Sequence, residues 1–305
     1  MSFFESLLEE AFRDRDPGSF PFSLGVEVTN HCNLRCPMCP REISDRAVGK
    51  MPFELFARIV DETVSHEHGV FLPQGFGESF IHPRFREMVR YAREKRLSRP
   101  FMLISNGTLL DEKNGRALIN SQIDFLVLSV DGVDPEIYEA IRPGARLENV
   151  VANVEAFLRL RKELGSQLPR VVLRMIKMEG TLDQEEAFRA FWEPRLDPGD
   201  EIVTSAYQTW GGAVEDRGGS DPDEEDAPEK RGPCRMIYKT LQVYHDGRCT
   251  PCCYDHECVM DVGNVQEASI REIWNGERLR EVRRLHEEGR IDEISICRGC
   301  KEYIP

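Results

Sequence analysis

Residues 24–40 read Leu-Gly-Val-Glu-Val-Thr-Asn-His-Cys-Asn-Leu-Arg-Cys-Pro-Met-Cys-Pro. The stretch opens as a short apolar strand, Leu24–Thr29, and passes directly into a loop carrying Cys32, Cys36 and Cys39. Three thiols so close on a loop cannot serve a fold-wide disulfide scaffold, and clustered thiols in a chain without export signals point to metal ligation. Three ligands also leave a four-iron cluster one iron short of a protein ligand, since ferredoxin-type clusters use four cysteines. The open iron position is where chemistry becomes possible. A three-cysteine zinc site completed by a histidine such as His31 is the alternative use of the same residues.

Working outward from this loop, five further apolar runs follow: Val70–Gln74, Phe101–Ser105, Phe125–Val130, Val171–Ile176 and Glu201–Ala206. Segments with helical spacing separate them, at Phe53–Ser65, Pro83–Arg96, Asp111–Ser121, Asn149–Leu164 and Asp183–Trp192. Alternating strand and helix predicts an α/β fold, a parallel sheet wrapped by helices, and six such units predict a partial (β/α)6 TIM barrel. Functional residues are then expected at the C-terminal ends of the strands. An acidic stretch from Glu215 to Lys230 breaks the pattern and reads as a solvated linker or mobile loop. The expected organisation is an N-terminal extension over 1–20, the barrel over 21–212, the linker over 213–233, and a small cysteine-rich module over 234–305 that needs metal to offset its thin core.

Composition narrows the partners. The 305 residues carry 54 acidic and 40 basic side chains, a formal charge of −14, which repels phosphate backbones and anionic lipid; nucleic acid is not an expected partner. No run approaches the ~20 apolar residues a membrane-spanning helix requires, so no membrane association is expected, and an N-terminus rich in Glu and Arg lacks the apolar core of a signal peptide. A cytoplasmic location is the expectation. Seven of the ten cysteines fall in the last quarter, at Cys234, Cys249, Cys252, Cys253, Cys258, Cys297 and Cys300.

The C-x3-C-x2-C motif after a first strand resembles that of the radical S-adenosylmethionine (SAM) superfamily, and Val28-Thr29-Asn30-His31 fits its usual lead-in. The resemblance implies a SAM-binding [4Fe-4S] cluster on Cys32, Cys36 and Cys39, with SAM chelating the fourth iron and cleaved reductively to a 5′-deoxyadenosyl radical. Further motifs fall at successive strand ends. Gly75-Phe76-Gly77-Glu78 takes the place of the family's Gly-Gly-Glu-Pro turn, which implies that Gly77 and Glu78 receive the SAM ammonium group. Ser105-Asn106-Gly107-Thr108 and Ser129-Val130-Asp131-Gly132 are similar to two other family turns. By analogy Ser105, Ser129 and Asp131 contact the ribose or carboxylate of SAM, and Asn106 shapes its turn. Arg142 and Arg174 are candidate partners for the carboxylate, because a guanidinium fork matches it; a structural ion pair is the other reading of each.

Cys234 is followed after seventeen residues by Cys252, with Gly247 five positions before it, and the chain ends on Cys297-Arg-Gly-Cys300 plus five residues. This resembles the SPASM/twitch auxiliary domain of radical SAM enzymes, in the shorter twitch form. The resemblance implies one auxiliary [4Fe-4S] cluster held by Cys234, Cys252, Cys297 and Cys300. Cys253 is an alternative to Cys252, and Cys249, Cys252, Cys297 and Cys300 also fit a zinc ribbon. Whether one or two auxiliary clusters bind stays open. Similar in length and cysteine spacing are the twitch-type aminocyclitol dehydrogenases, such as the 2-deoxy-scyllo-inosamine dehydrogenase group. That implies oxidation of a secondary alcohol on a sugar or cyclitol, with the auxiliary cluster accepting an electron and a flavodoxin- or ferredoxin-type reductant charging the first. Substrate-facing candidates are Trp210, which stands where those enzymes carry an arginine before Gly-Gly, and the unassigned Cys249, Cys253 and Cys258. Radical modification of a ribosomally made peptide, by epimerisation or crosslinking, is the second expectation.

Overall fold

A computed structural model describes residue 6 and residues 16–66, 69–97, 100–218, 231–298 and 300–304. Most of the extension expected over 1–20, and residues 219–230 of the acidic stretch, lie outside the described residues. Six parallel strands appear where the apolar runs predict them: β1 (Ser23–Val26), β2 (Val70–Leu72), β3 (Met102–Ser105), β4 (Phe125–Ser129), β5 (Arg170–Lys177) and β6 (Glu201–Ala206). Helices α1 (Phe53–Thr63), α2 (Phe85–Glu94), α3 (Glu112–Asn120), α4 (Pro135–Ile141), α5 (Leu147–Glu163) and α6 (Glu185–Trp192) alternate with them. Start signals are local: Asp111 accepts from the Asn114 amide at the N-cap of α3, and Asp134 followed by Pro135 opens α4. The α4 helix is one the sequence reading did not expect; at seven residues it is too short to show periodicity.

Strands β3 to β6 pair in sequence order, and β1 pairs with β2. A single parallel bridge between Phe71 and Phe101 joins the two groups. Every strand is parallel, so each C-terminal end faces the same rim, and the interior is packed with residues such as Leu24, Phe71, Leu103, Leu126 and Leu173, all 0% exposed.

The edge of β1 is completed from the far end of the chain. After α7 (Met236–Lys239), strand β7 (Thr240–Val243) runs parallel to β1 with Ser23 opposite Thr240 and Val26 opposite Val243. Beyond it β8 (Arg248–Thr250) and β9 (Gly263–Asn264) continue antiparallel. Gly25 permits the join: a Cβ there would lie 2.0 Å from Oε1 of Gln242, whose side chain crosses the glycine. The cysteine-rich segment is therefore stitched into the barrel sheet by β7. It closes with α8 (Ile270–Trp274), opened by a Ser269/Glu272 capping box, and α9 (Glu277–Glu287). No helix among the described residues is long and apolar enough to cross a membrane.

Candidate active site

The three-cysteine loop lies over the C-terminal rim and is fixed at both flanks. Thr29 Oγ1 donates to the Gly49 carbonyl at 2.6 Å, Asn30 Nδ2 donates to Ala47 and its oxygen accepts from the Gly49 amide. The Cys39 amide donates to the Cys36 carbonyl at 3.0 Å, and Arg41 donates to the Leu34 carbonyl at 2.7 Å. All three thiols are partly buried and none is in a disulfide. Burial pushes Cys32 and Cys36 up and Cys39 up to about 11, and the neighbouring sulfurs raise Cys39 further. Such thiols ionise at neutral pH only when a cation takes up their charge, which is the condition iron supplies. His31, the candidate fourth zinc ligand, is exposed; its carbonyl accepts from the Glu78 amide at 2.9 Å.

The Gly75–Glu78 turn packs straight onto this lead-in. A Cβ on Gly77 would sit 2.3 Å from the Thr29 carbonyl oxygen and 2.6 Å from that of His31, so only glycine lets the two backbones meet. Glu78 is 2% exposed. It accepts from Ser105 Oγ at 3.1 Å through both oxygens, from the Asn106 amide at 2.9 Å and from the Phe80 amide. Burial raises its carboxyl above the usual value despite those donors. Ser105, expected on the SAM ribose or carboxylate, is here a support for Glu78. Asn106 does more than shape its turn: Nδ2 faces Cys32 Sγ at 3.8 Å and donates to Asn33 Oδ1.

On the other side of the loop, Asp131 and Arg142 partner each other. Arg142 Nε donates to Asp131 Oδ2 at 2.7 Å, Nη2 lies 2.5 Å from the same oxygen, and Oδ1 accepts from the Ile176 amide. Both are buried, and Cys36 lies within the field of this pair. The structural ion pair is thus realised, with Arg142 beside the first thiol loop. Arg174 on β5 is different: Nη2 reaches Ser129 Oγ only at 3.4 Å, and its buried Nε has no hydrogen-bond partner. Burial depresses its pKa, which marks a cation in want of an anion. A serine hydroxyl beside a buried guanidinium whose Nε is unpartnered fits an amino-acid carboxylate.

A second set gathers beneath the C-terminal segment. A cavity there is lined by Cys234, Cys252, Cys297 and Cys300, and Cys253 is not part of its wall. Like the thiols of the first loop, these four are partly buried, and burial pushes Cys297 and Cys300 up to about 12. His286 faces Cys297 Sγ at 3.7 Å and accepts from the Cys234 amide, with burial lowering its pKa to about 4. Arg231 donates to the carbonyls of Cys297 and Cys300. Four thiols on one cavity fit a fully ligated cluster, and Arg231, itself paired with Asp292 at 3.0 Å, fixes the backbone of two of them.

Trp210 joins the two regions. Its Nε1 donates to the Met38 carbonyl at 2.8 Å, and its ring packs edge-on against Phe76 at 5.3 Å and Tyr254 at 5.7 Å. Two of the expected substrate-facing thiols are corrected by the structure. Cys249 is 0% exposed on β8 within the apolar core, and Cys258 is 5% exposed with Sγ toward the Cys249 carbonyl, so both are interior packing residues. A buried hub that spacing did not reveal is Glu27 at the end of β1. It takes two hydrogen bonds from Arg46, one from the Phe76 amide, and meets His245 Nδ1 at 3.1 Å.

A parallel β/α barrel with an open three-thiol rim site and a four-thiol module defines an iron–sulfur radical enzyme. Comparison with known proteins agrees: residues 26–191 match the radical SAM superfamily and residues 234–301 match the SPASM iron-sulfur cluster-binding domain, and the chain belongs to the radical SAM superfamily. Its cofactors are SAM, a SAM-binding [4Fe-4S] cluster and auxiliary iron–sulfur clustering in the SPASM segment. It is 30% identical over 155 residues to the tungsten-containing aldehyde ferredoxin oxidoreductase cofactor-modifying protein of Pyrococcus furiosus, covering 50% of this chain and 43% of that one. With the PqqA peptide cyclase of Gluconobacter oxydans it shares 27% identity over 290 residues, 84% of this chain and 76% of the relative. The chain spans about half the length of the first curated relatives it matches. Among solved structures, BtrN in complex with AdoMet and 2-DOIA aligns with a TM-score of 0.61 at 19% identity, over 92% of this chain and 93% of that one. Streptococcus suis SuiB bound to S-adenosylmethionine gives 0.67 at 14% identity over 93% and 72%. At these identities the likeness concerns the fold.

Proposed function

We propose that this enzyme oxidises a secondary alcohol on a sugar or aminocyclitol by two electrons. When bound, the cofactors supply a 5′-deoxyadenosyl radical that takes the carbinol hydrogen atom and, at the auxiliary site, an acceptor for the remaining electron, while a base takes the hydroxyl proton. The observation that carries the reading is that Cys234, Cys252, Cys297 and Cys300 line one cavity: a cluster ligated by all four would exchange electrons but have no position free for substrate. The full-length alignment with BtrN, a 2-deoxy-scyllo-inosamine dehydrogenase, supports it.

The chain's own residues prepare the site. Cys32, Cys36 and Cys39 hold the first cluster. Glu78, steadied by Ser105 and the Asn106 amide, receives the SAM ammonium, while Arg174 and Ser129 receive the carboxylate. Arg142 is paired with Asp131 beside Cys36, where its charge favours the thiolate and that of Asp131 opposes it. Cys234, Cys252, Cys297 and Cys300 hold the auxiliary cluster, with Cys253, whose thiol feels Cys234 and Cys300, the alternative to Cys252. Anaerobic iron analysis tests the last point: Cys252→Ala is expected to lose about four irons per chain and Cys253→Ala to keep about eight. Retention of a full complement by Cys252→Ala would overturn the assignment.

Modification of a peptide is the second reading, favoured by the alignment with PqqA peptide cyclase over 84% of the chain. Incubation with SAM, reductant and candidate substrates separates the two. A product two mass units lighter than a cyclitol supports dehydrogenation; a peptide crosslink, or solvent deuterium gained at carbon without oxidation, supports the second reading. The reductant is proposed to be a flavodoxin or ferredoxin.

A further inference from the structure

Three residues from the end of the cysteine-rich segment stands a carboxylate with an unusual set of partners. Glu302, two residues past Cys300, accepts from the Thr209 amide, from Thr209 Oγ1 at 2.6 Å and from the Gly211 amide at 3.1 Å. Thr209 Oγ1 in turn accepts from the Gly212 amide at 3.1 Å. One side chain thus captures most of the inward-facing donors of the 209–212 turn.

That turn is costly to hold. Trp210 has φ of 57°, a left-handed conformation that a bulky side chain seldom takes, and Gly211 and Gly212 follow at 69° and 86°. Strain of this kind persists only where the surroundings over-determine it. Two contacts do so besides Glu302. Trp210 Nε1 is held by the Met38 carbonyl in the first thiol loop, and Gly211 abuts Ile296, whose Cγ1 would lie 2.9 Å from a Cβ at position 211. Ile296 immediately precedes Cys297.

We propose that Glu302 is a positioning residue that couples loading of the auxiliary site to the wall of the reaction space. Cluster binding at Cys297 and Cys300 fixes Ile296 and Glu302. Those two clamp the 209–212 turn, and the turn presses Trp210 against the first thiol loop and the Gly75–Glu78 turn. Without the auxiliary cluster the clamp loosens and Trp210 leaves its left-handed setting, opening the space where substrate would meet the radical. The inference rests on the assignment of Cys300 as a ligand, which iron analysis of Cys300→Ala, expected to lose about four irons per chain, tests separately.

Hydrogen–deuterium exchange on the anaerobically reconstituted full chain reads the clamp directly. Glu302→Ala is expected to keep about eight irons and to speed exchange at residues 209–212 by about tenfold or more, with Glu302→Gln between it and wild type, because the charge-assisted bonds are weakened in one and lost in the other. Cys297→Ala/Cys300→Ala is expected to give the same local acceleration, and adding Glu302→Ala to it to give little more. Should Glu302→Ala lose iron, Thr209→Val removes the hydroxyl bridge from the other side and is expected to accelerate Gly211 and Gly212 with both clusters in place. A functional readout accompanies these: 5′-deoxyadenosine formed from SAM and dithionite without substrate rises in Glu302→Ala while the KM for SAM stays put. Unchanged exchange at 209–212 in Glu302→Ala or, if that variant loses iron, in Thr209→Val overturns the proposal. So does full protection of that turn in the Cys297→Ala/Cys300→Ala chain.

Discussion

Replacing Cys32, Cys36 and Cys39 together by alanine is expected to abolish formation of 5′-deoxyadenosine from SAM, by at least about a thousandfold, and to lower bound iron from about eight to about four per chain. The size of the effect follows from the geometry. The other seven cysteines all lie at or beyond residue 234, and four of them line the cavity beneath the C-terminal segment. None stands on the rim to substitute. The remaining side chains there, Glu78, Arg174 and the Asp131–Arg142 pair, have no redox chemistry of their own. Anaerobic iron and sulfide analysis, with chromatography of the nucleoside product, checks both halves. Loss of all iron from the triple variant would mean a single shared cluster.

The second large effect concerns the Glu27 hub. Arg46 has 4% of its side chain exposed and Glu27 none, and the pair is bidentate at 2.9 and 2.7 Å. Glu27→Ala leaves a buried guanidinium over the Tyr244 ring, 4.0 Å from its centroid, without a counter-charge. Breaking a buried pair from one side is expected to cost about 3–5 kcal/mol, far beyond an exposed salt bridge. The apparent melting temperature should fall by on the order of 10 °C. Double replacement, Glu27→Leu with Arg46→Met, is expected to recover much of that loss, because the isolated charge is then gone. Acid has the same sense. Burial acts to raise the Glu27 carboxyl, but His245 and Arg46 outweigh it and hold it below the usual 4.5. A depressed carboxyl contributes stability above its unfolded value and loses it as pH falls through the lower folded one. The advantage of wild type over Glu27→Gln should therefore shrink below pH 4.5, as measured by denaturant midpoints. A constant gap across that range would remove Glu27 from the account.

What the sequence made legible was local. The thiol trio, the six apolar runs and the turn residues after them are read within a few positions, and the strands of the structure fall on those runs. Partner choice was not legible. Whether Arg142 meets a ligand or Asp131 depends on α4 and the end of β4 coming together, and α4 was too short to announce itself. Ser105 reads as a turn serine, yet its hydroxyl belongs to Glu78, 27 residues earlier. Cys249 and Cys258 look available in a list of cysteines, and only the burial of β8 shows otherwise. Trp210 could be named from its neighbours Gly211 and Gly212, but not its backbone setting, because the groups that enforce it lie at residues 38, 296 and 302. The pairing of β1 with β7 spans more than two hundred residues and has no signal in either strand alone.

That pairing bears on how the molecule is made. A nascent chain that has emerged only as far as β6 presents β1 with bare amides and carbonyls along one side, a template for any extended polypeptide nearby. The partner arrives with Thr240–Val243, close to the thiols of the last segment. Closure of the barrel edge and arrival of the last seven thiols are thereby drawn into the same late interval of synthesis.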